Sequence, residues 1–285
     1  MDIARKNLGC RIVVSGNKVE FYEYAKPIYV DFEREHAVER LQTDESKKRV
    51  DNLLRARKNV RQIVWCNVTA HSKFLTLTYK ETMLDVKQFR RDWTTFLQAM
   101  RRKGHDLRYL YVIERQKQRG LKEGNEGTIH AHVIVFNDEF IPLQDVLACW
   151  KHGNIDLKML NGLREQDGER VRNVGAYVCK YVTKEAAVEW GQRCFNTSHG
   201  NLMKPEEVRF YTYGGVDKNG VPDYITPEIN VFEAFKGVSK ITYEDVHNFS
   251  YELSDGRIYE NSLLYSQGTI ENAEIIEHEE FDEIV

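Results

Sequence analysis

In the stretch Lys73-Phe-Leu-Thr-Leu-Thr-Tyr-Lys80, Leu75, Leu77 and Tyr79 alternate with Phe74, Thr76 and Thr78, a two-residue period that predicts a strand. The period then changes. Val86, Phe89, Trp93, Phe96 and Met100 recur every three or four residues and predict a helix over 85–101 with one apolar stripe laid on a sheet. Those aromatics read as core rather than as a base-stacking platform. Leu107–Arg115 and Thr128–Asn137 return to strand patterns, and the polar, Gly-rich segment between them predicts an antiparallel hairpin with a long loop. Pro142 opens a short helix to Trp150, Gly153–Lys158 reads as a strand, and Val174–Ala187 reads as a helix. Upstream lie two short strand candidates, Arg11–Val14 and Val19–Tyr24, then a charged, helix-forming stretch over 33–62. Beyond residue 190 the pattern weakens: Gly214, Gly215, Gly220 and Pro222 mark turns, and 270–285 reads as an acidic tail or terminal helix. The fold class expected is α+β, a central antiparallel sheet with flanking helices over about 60–190. The expected organisation is an N-terminal extension with a basic helix (1–59), a central domain (60–205) and a C-terminal region of unassigned role (206–285).

Charge changes this picture by its distribution. The chain of 285 residues has a net charge of −3, but Glu244–Val285 carries −11 and residues 1–243 carry +8. A basic body permits a phosphate-backbone partner. Lys47, Lys48, Arg49, Arg55, Arg57, Lys58 and Arg61 have helical spacing around Val50, Leu53 and Leu54. They form either a solvated amphipathic face or a DNA-backbone contact. The five cysteines are scattered without a CxxC pair, which argues for reduced thiols in a cytoplasm and against a zinc knuckle or disulfide frame. No run approaches a membrane span, and the N-terminus does not read as a signal peptide. No GxxxxGK[ST] is present, so no ATP-driven motor is expected.

Two groups carry candidate chemistry. In His130-Ala-His132, residues two apart on a strand share a face, so both imidazoles can converge on one ion. Glu114 stands near the end of the preceding, otherwise apolar strand, where hairpin pairing would bring its carboxylate beside them. A mixed nitrogen–oxygen site with open positions suits Mg²⁺ or Mn²⁺ as a Lewis acid, and its ligand types also admit Zn²⁺. The second group is Tyr177-Val-Cys-Lys180-Tyr181-Val-Thr-Lys184. On a helix Tyr177 and Tyr181 lie one turn apart on one face, each followed three residues later by a lysine. A tyrosine nucleophile needs nearby positive charge to offset a pKa of about 10, and the phosphate it attacks needs its charge neutralised. Lys180 and Lys184 are placed for both. Each group alone has a plain structural alternative: a strand-end carboxylate, buried histidines, or an amphipathic helix with packed aromatics.

Together, KFLTLTY, HAHVIVF (130–136) and YVCKYVTK (177–184) stand in the order and spacing of three motifs, and the chain here resembles the HUH endonucleases. The likeness is to rolling-circle replication proteins of small plasmids and single-stranded DNA phages, including microvirus initiators with a paired-tyrosine YVxKYVxK helix. Trp150-Lys-His-Gly153 and Leu202-Met-Lys-Pro205 are similar to stretches of bacterial members, so the resemblance spans about 55–210. It implies an HUH fold: a five-stranded antiparallel sheet with the histidines central and the tyrosine helix against the metal. It implies His130 and His132 as metal ligands, Glu114 as the third, and Tyr177 or Tyr181 as nucleophile, the KYxxK register favouring Tyr181.

The activity implied is nicking of single-stranded or hairpin origin DNA, leaving a 5′-phosphotyrosine and a free 3′-OH, with strand transfer by the second tyrosine or packing alone as its alternative roles. The partners implied are origin DNA and a host helicase and polymerase, with no membrane, and the location is cytoplasmic. Two rivals stand beside this reading. A relaxase of the same superfamily tends to carry its tyrosine before the HUH strand, and related transposases are typically shorter. A non-catalytic single-strand binder would stack bases on sheet aromatics without cleaving.

Overall fold

A computed structural model describes residues 5–29, 45–115, 127–160, 163, 173–182, 195–214, 238–252, 256 and 258–270. The strands are β1 (Arg5–Ser15), β2 (Lys18–Tyr29), β3 (Lys73–Thr78), β4 (Tyr109–Arg115), β5 (Ile129–Val135), β6 (Ile155–Met159), β7 (Phe195–Thr197), β8 (Glu206–Gly214), β9 (Val238–Glu252) and β10 (Ile258–Ile270). The helices are α1 (Glu45–Asn67), α2 (Val86–Arg102), α3 (Leu143–Cys149) and α4 (Val174–Cys179). Two compact units result, one from 1–43 with 205–285 and the other from 44–204. Each holds a five-stranded antiparallel sheet, and the class is α+β.

The first unit orders its strands β8-β1-β2-β10-β9. Cys10, Ile12, Val19, Phe21 and Ile270 form its buried cluster. The pairing is highly non-local: Arg11 faces Arg209 across β1–β8, and Tyr22 faces Tyr265 across β2–β10. Both ends of the chain therefore share one sheet, and α1 belongs to the other unit. These boundaries differ from the linear division into 1–59, 60–205 and 206–285, because antiparallel pairing over some 200 positions leaves no local trace in the pattern. Much of the acidic segment after Glu244 lies in β9 and β10, while the anticipated tail, 271–285, is outside the described residues.

The second unit orders its strands β6-β3-β5-β4-β7, with β5 in the middle. Strand alternation divides the core between the two faces. On one face Leu75, Leu77, Tyr111, Ile113, Ala131 and Val133 pack against the α2 stripe of Val86, Phe89, Trp93, Phe96 and Met100. The aromatics of α2 are core, with Trp93 4.9 Å from Tyr109 and 5.3 Å from Phe96, ring centre to ring centre. Asp85 caps this helix by accepting from the Lys87 amide at 2.7 Å, and Gly104, at φ 90°, reverses the chain after it. On the opposite face Phe74, Leu110, Val112, Ile134 and Phe136 meet Leu53, Val60 and Val64 of α1 and Val178 and Val182 at α4. The candidate chemistry lies on this second face.

The helix anticipated over 174–187 is α4 followed by tighter turns, in which the amides of Lys180, Tyr181 and Val182 bond the carbonyls three residues back at 3.1–3.2 Å. Residues 183–187 fall outside the described residues, as does the loop joining β4 to β5. Among the described residues no helix is long and apolar enough to cross a membrane. Cys10, Cys66 and Cys149 are buried and Cys179 is half-buried, all as free thiols, and burial pushes the Cys10 thiol up to about 12.

Candidate active site

The antiparallel register places the acidic and imidazole groups. Glu114 of β4 and Thr78 of β3 stand directly opposite His130, one on each side, and Val112 and Thr76 flank His132 in the same way. Opposed residues share a face, so Glu114, His130, His132, Thr76 and Thr78 all belong to the face covered by α1 and α4. The hairpin anticipated between β4 and β5 forms in the register that this requires.

His132 is buried at 7% exposure, and both of its nitrogens are engaged. Its Nε2 lies 2.8 Å from Glu114 Oε2, and its Nδ1 lies 3.3 Å from the Thr76 hydroxyl. The carboxylate accepts from Nε2–H, so in the neutral ring Nδ1 accepts from Thr76. His130 is placed differently. Its Nε2 is buried and has no hydrogen-bond partner. Burial pulls its pKa below the ordinary histidine value, the neighbouring His132 adds to that effect, and Glu114 opposes it. Near pH 7 His130 therefore presents a neutral ring, the form able to offer a lone pair.

The tyrosines approach from α4. Asn173 caps that helix, its Oδ1 accepting from the Ala176 amide at 3.0 Å. Val178 and Val182 are fully buried and turn the opposite residues, Tyr177 and Tyr181, along the sheet face. The Tyr181 ring stacks on His132 with centres 3.7 Å apart and planes 26° apart. Phe74 stacks on the same imidazole at 5.8 Å and meets the edge of Tyr177 at 5.8 Å. The Tyr181 hydroxyl donates to the Tyr177 hydroxyl at 3.2 Å, so the two phenols form one polar head beside the histidines. Lys180 is exposed, with Nζ 5.1 Å from the centre of the Tyr177 ring. Lys184 lies outside the described residues.

Of the basic stretch, Lys47, Lys48 and Arg49 lie on α1 with side chains outside the described set, Arg55 is exposed, and Lys58 is half-buried. Arg57 turns toward the protein, its Nε donating to the Val182 carbonyl at 2.8 Å. Helix α1 also touches the start of α4, where Trp65 Nε1 donates to Asn173 Oδ1 at 3.2 Å. Thr76, Thr78 and Phe74 join the site without having been singled out in the sequence. Their signal is the alternation of KFLTLT, which puts all three on one face.

Among the described residues no three His, Cys, Asp or Glu side chains gather in an arrangement ready for a cation. The reason is visible in the contacts: Glu114 and His132 bond one another, and His130 does not join them. The donor set nevertheless fits a divalent ion in kind and in register, with a carboxylate directly across from one imidazole and a buried Nε2 that has no other partner.

Nothing matches the chain among curated proteins or among solved structures. Residues 72–186, from the start of β3 to just beyond the tyrosine pair, match a family of replication-associated proteins of the ORF2 type, and this match supports a replication initiator role for the chain.

Proposed function

We propose that this chain starts rolling-circle replication by nicking single-stranded origin DNA with a tyrosine. The observation that carries the reading is the Tyr181 ring stacked 3.7 Å from His132, with the Tyr177 hydroxyl bonded to its own. The family match over residues 72–186 supports the replication role and leaves the chemistry to the geometry.

The reaction follows from what these side chains do. Single-stranded DNA enters along the face of β5, and Lys180 and Lys184 draw its phosphate toward the phenols. The hydroxyl of Tyr181, or of Tyr177, attacks phosphorus in line. The new O–P bond forms as the bond to the 3′ oxygen breaks, the proton lost by the phenol is made up on the departing oxygen, and a 5′-phosphotyrosine and a free 3′-OH remain. Glu114, His130 and His132 would hold Mg²⁺ or Mn²⁺. A divalent ion there supplies Lewis-acid polarisation of the scissile phosphate. Buried and without a partner, His130 Nε2 is the donor to be filled first. Thr76 fixes the His132 ring through Nδ1, leaving Nε2 directed toward Glu114. The second phenol is close enough to the first to accept the strand in a closing transfer.

The test is incubation with an end-labelled single-stranded oligonucleotide and Mn²⁺, resolved on a denaturing gel. The expected product is a protein-linked DNA band that chelator abolishes. A non-catalytic binder would retain the oligonucleotide with chelator present and leave it intact, which would overturn the proposal.

A further inference from the structure

The geometry points to Arg57 as a positioning residue that holds the tyrosine-bearing turn on the histidine pair, rather than as a contact to the DNA backbone. This rests on the nicking proposed above. By sequence Arg57 is one cation in a run of seven between Lys47 and Arg61, and every member of such a run is a candidate phosphate contact. The structure separates it from the run: the side chain is half-buried and its Nε donates to the carbonyl of Val182 at 2.8 Å. Val182 is the residue after Tyr181, so the bond acts one peptide away from the ring stacked on His132.

The tyrosine segment needs such a hold. Helix α4 has six residues and continues only as three-residue turns, and an isolated helix below about 12 residues is marginal in water. Its placement must come from its neighbours. Helix α1 supplies contacts at both ends of the segment. At the start, Trp65 Nε1 donates to the capping Asn173, and Gly175 allows the close approach, since a Cβ there would sit 2.8 Å from that same Nε1. At the end, the Arg57 side chain takes the Val182 carbonyl while the Cys179 thiol donates to the Arg57 carbonyl at 3.2 Å. Trp65 and Arg57 are eight residues apart, about 12 Å along a helix, so α1 acts as a splint beside the tyrosine segment. Without the Arg57 contact, the orphan carbonyls at the open end of the helix lose a long-range side-chain donor, and Tyr181 is free to leave the imidazole.

Arg57→Ala and Arg57→Lys in the full chain test this. Three quantities are measured: the affinity for a single-stranded oligonucleotide over a salt series without divalent ion, the single-turnover nicking rate with Mn²⁺ at saturating DNA, and amide hydrogen exchange. Arg57→Ala is expected to lower the saturating rate between about 10-fold and about 100-fold, as misplacement of a reacting group does. Affinity and salt slope are expected to stay at the wild-type values. Arg57→Lys, which keeps a donor, is expected to recover part of the rate. Amides 178–182 are expected to lose protection in Arg57→Ala while those of β3, β4 and β5 keep theirs. Weakened affinity with a salt slope reduced by about one, and an unchanged saturating rate, would instead make Arg57 a phosphate contact and overturn the inference. Exchange is read without any nicking. Unchanged protection at 178–182 therefore overturns the positioning role even if the wild type does not cut, and a wild type that does not cut overturns the nicking reading separately.

Discussion

Replacing Gly153 by alanine adds one carbon atom where the backbone has no space for it. A Cβ there would lie 2.1 Å from the Thr78 carbonyl oxygen, 2.6 Å from the Lys80 amide nitrogen and 2.8 Å from the Tyr79 carbonyl carbon. All three are backbone atoms, so no rotamer change relieves the overlap, and the chain entering β6 must move off the end of β3. That movement breaks the bonds from the Thr78 amide to the Asn154 carbonyl at 3.0 Å and from the Lys80 amide to the His152 carbonyl at 2.8 Å. It also pulls on the Trp150 indole, which donates to the Thr78 carbonyl at 3.3 Å. Two backbone hydrogen bonds at about 1 kcal/mol each, with about 1–3 kcal/mol of overpacking strain, give a destabilisation of roughly 3–5 kcal/mol. Against a typical total of about 5–15 kcal/mol this is a large loss. The measurement is urea unfolding followed by tryptophan fluorescence, with Gly104→Ala as the comparison. Gly104 has φ 90° but open space around it, so its replacement is expected to cost only backbone strain, of order 1–3 kcal/mol. Thr78 faces His130 across the sheet, so Gly153→Ala is also expected to depress nicking. A Gly153→Ala protein within about 1 kcal/mol of wild type would refute the reasoning, because it would mean that β3 and β6 separate at almost no cost.

Other expectations are as specific. Tyr79→Phe removes a bond of 2.7 Å from the phenol to the buried carboxylate of Asp92, leaving Gln88 at 2.7 Å as the remaining close donor, and should cost about 1.5–3 kcal/mol in denaturant unfolding. Asp145 accepts from Lys103 at 2.8 Å and pairs with His105 at 2.9 Å, and the bond from Lys103, then that from His105, hold its carboxyl below the ordinary value. A carboxyl lowered on folding stabilises above its unfolded pKa of about 3.9 and loses that contribution as pH falls through the lower folded value. Asp145→Asn should therefore melt below wild type at pH 7, and the gap should close below about pH 4. Tyr181→Phe and Tyr177→Phe, compared singly and together in the oligonucleotide assay, should show the covalent band lost in one single variant and in the double. Persistence of the band in the double variant would remove both phenols from the mechanism.

Much of the second unit could be read from the sequence, because there each period reports a burial that the fold carries out locally. The alternation over 73–80 and the three-to-four spacing over 85–101 became β3 and α2, and the hairpin brought Glu114 opposite His130 as its position required. The tyrosine pair met the histidines because helical spacing and strand parity each fix a face. The first unit could not be read in this way. Among the described residues strand β9 pairs only with β10, along its inner edge, and leaves Tyr243 and Val246 more than half exposed, so apolar and polar residues do not sort by side. Strand β8 finds its partner in β1, some 200 residues earlier, and no window of sequence contains both. Arg57 was hidden for a different reason: a cation that bonds a carbonyl and one that faces solvent look the same in a row of lysines and arginines, and only burial tells them apart. Gly153 stood in a stretch singled out for its likeness alone, and the approach of β3 supplies its physical cause.

The central claim is that a phenol beside His132 becomes covalently joined to DNA. It is tested most directly by digesting the Mn²⁺-dependent DNA adduct and locating the modified residue by mass spectrometry. The account predicts a 5′-phosphate ester on Tyr181 or Tyr177. An adduct on any other residue, or cleaved DNA with no adduct at all, would contradict it.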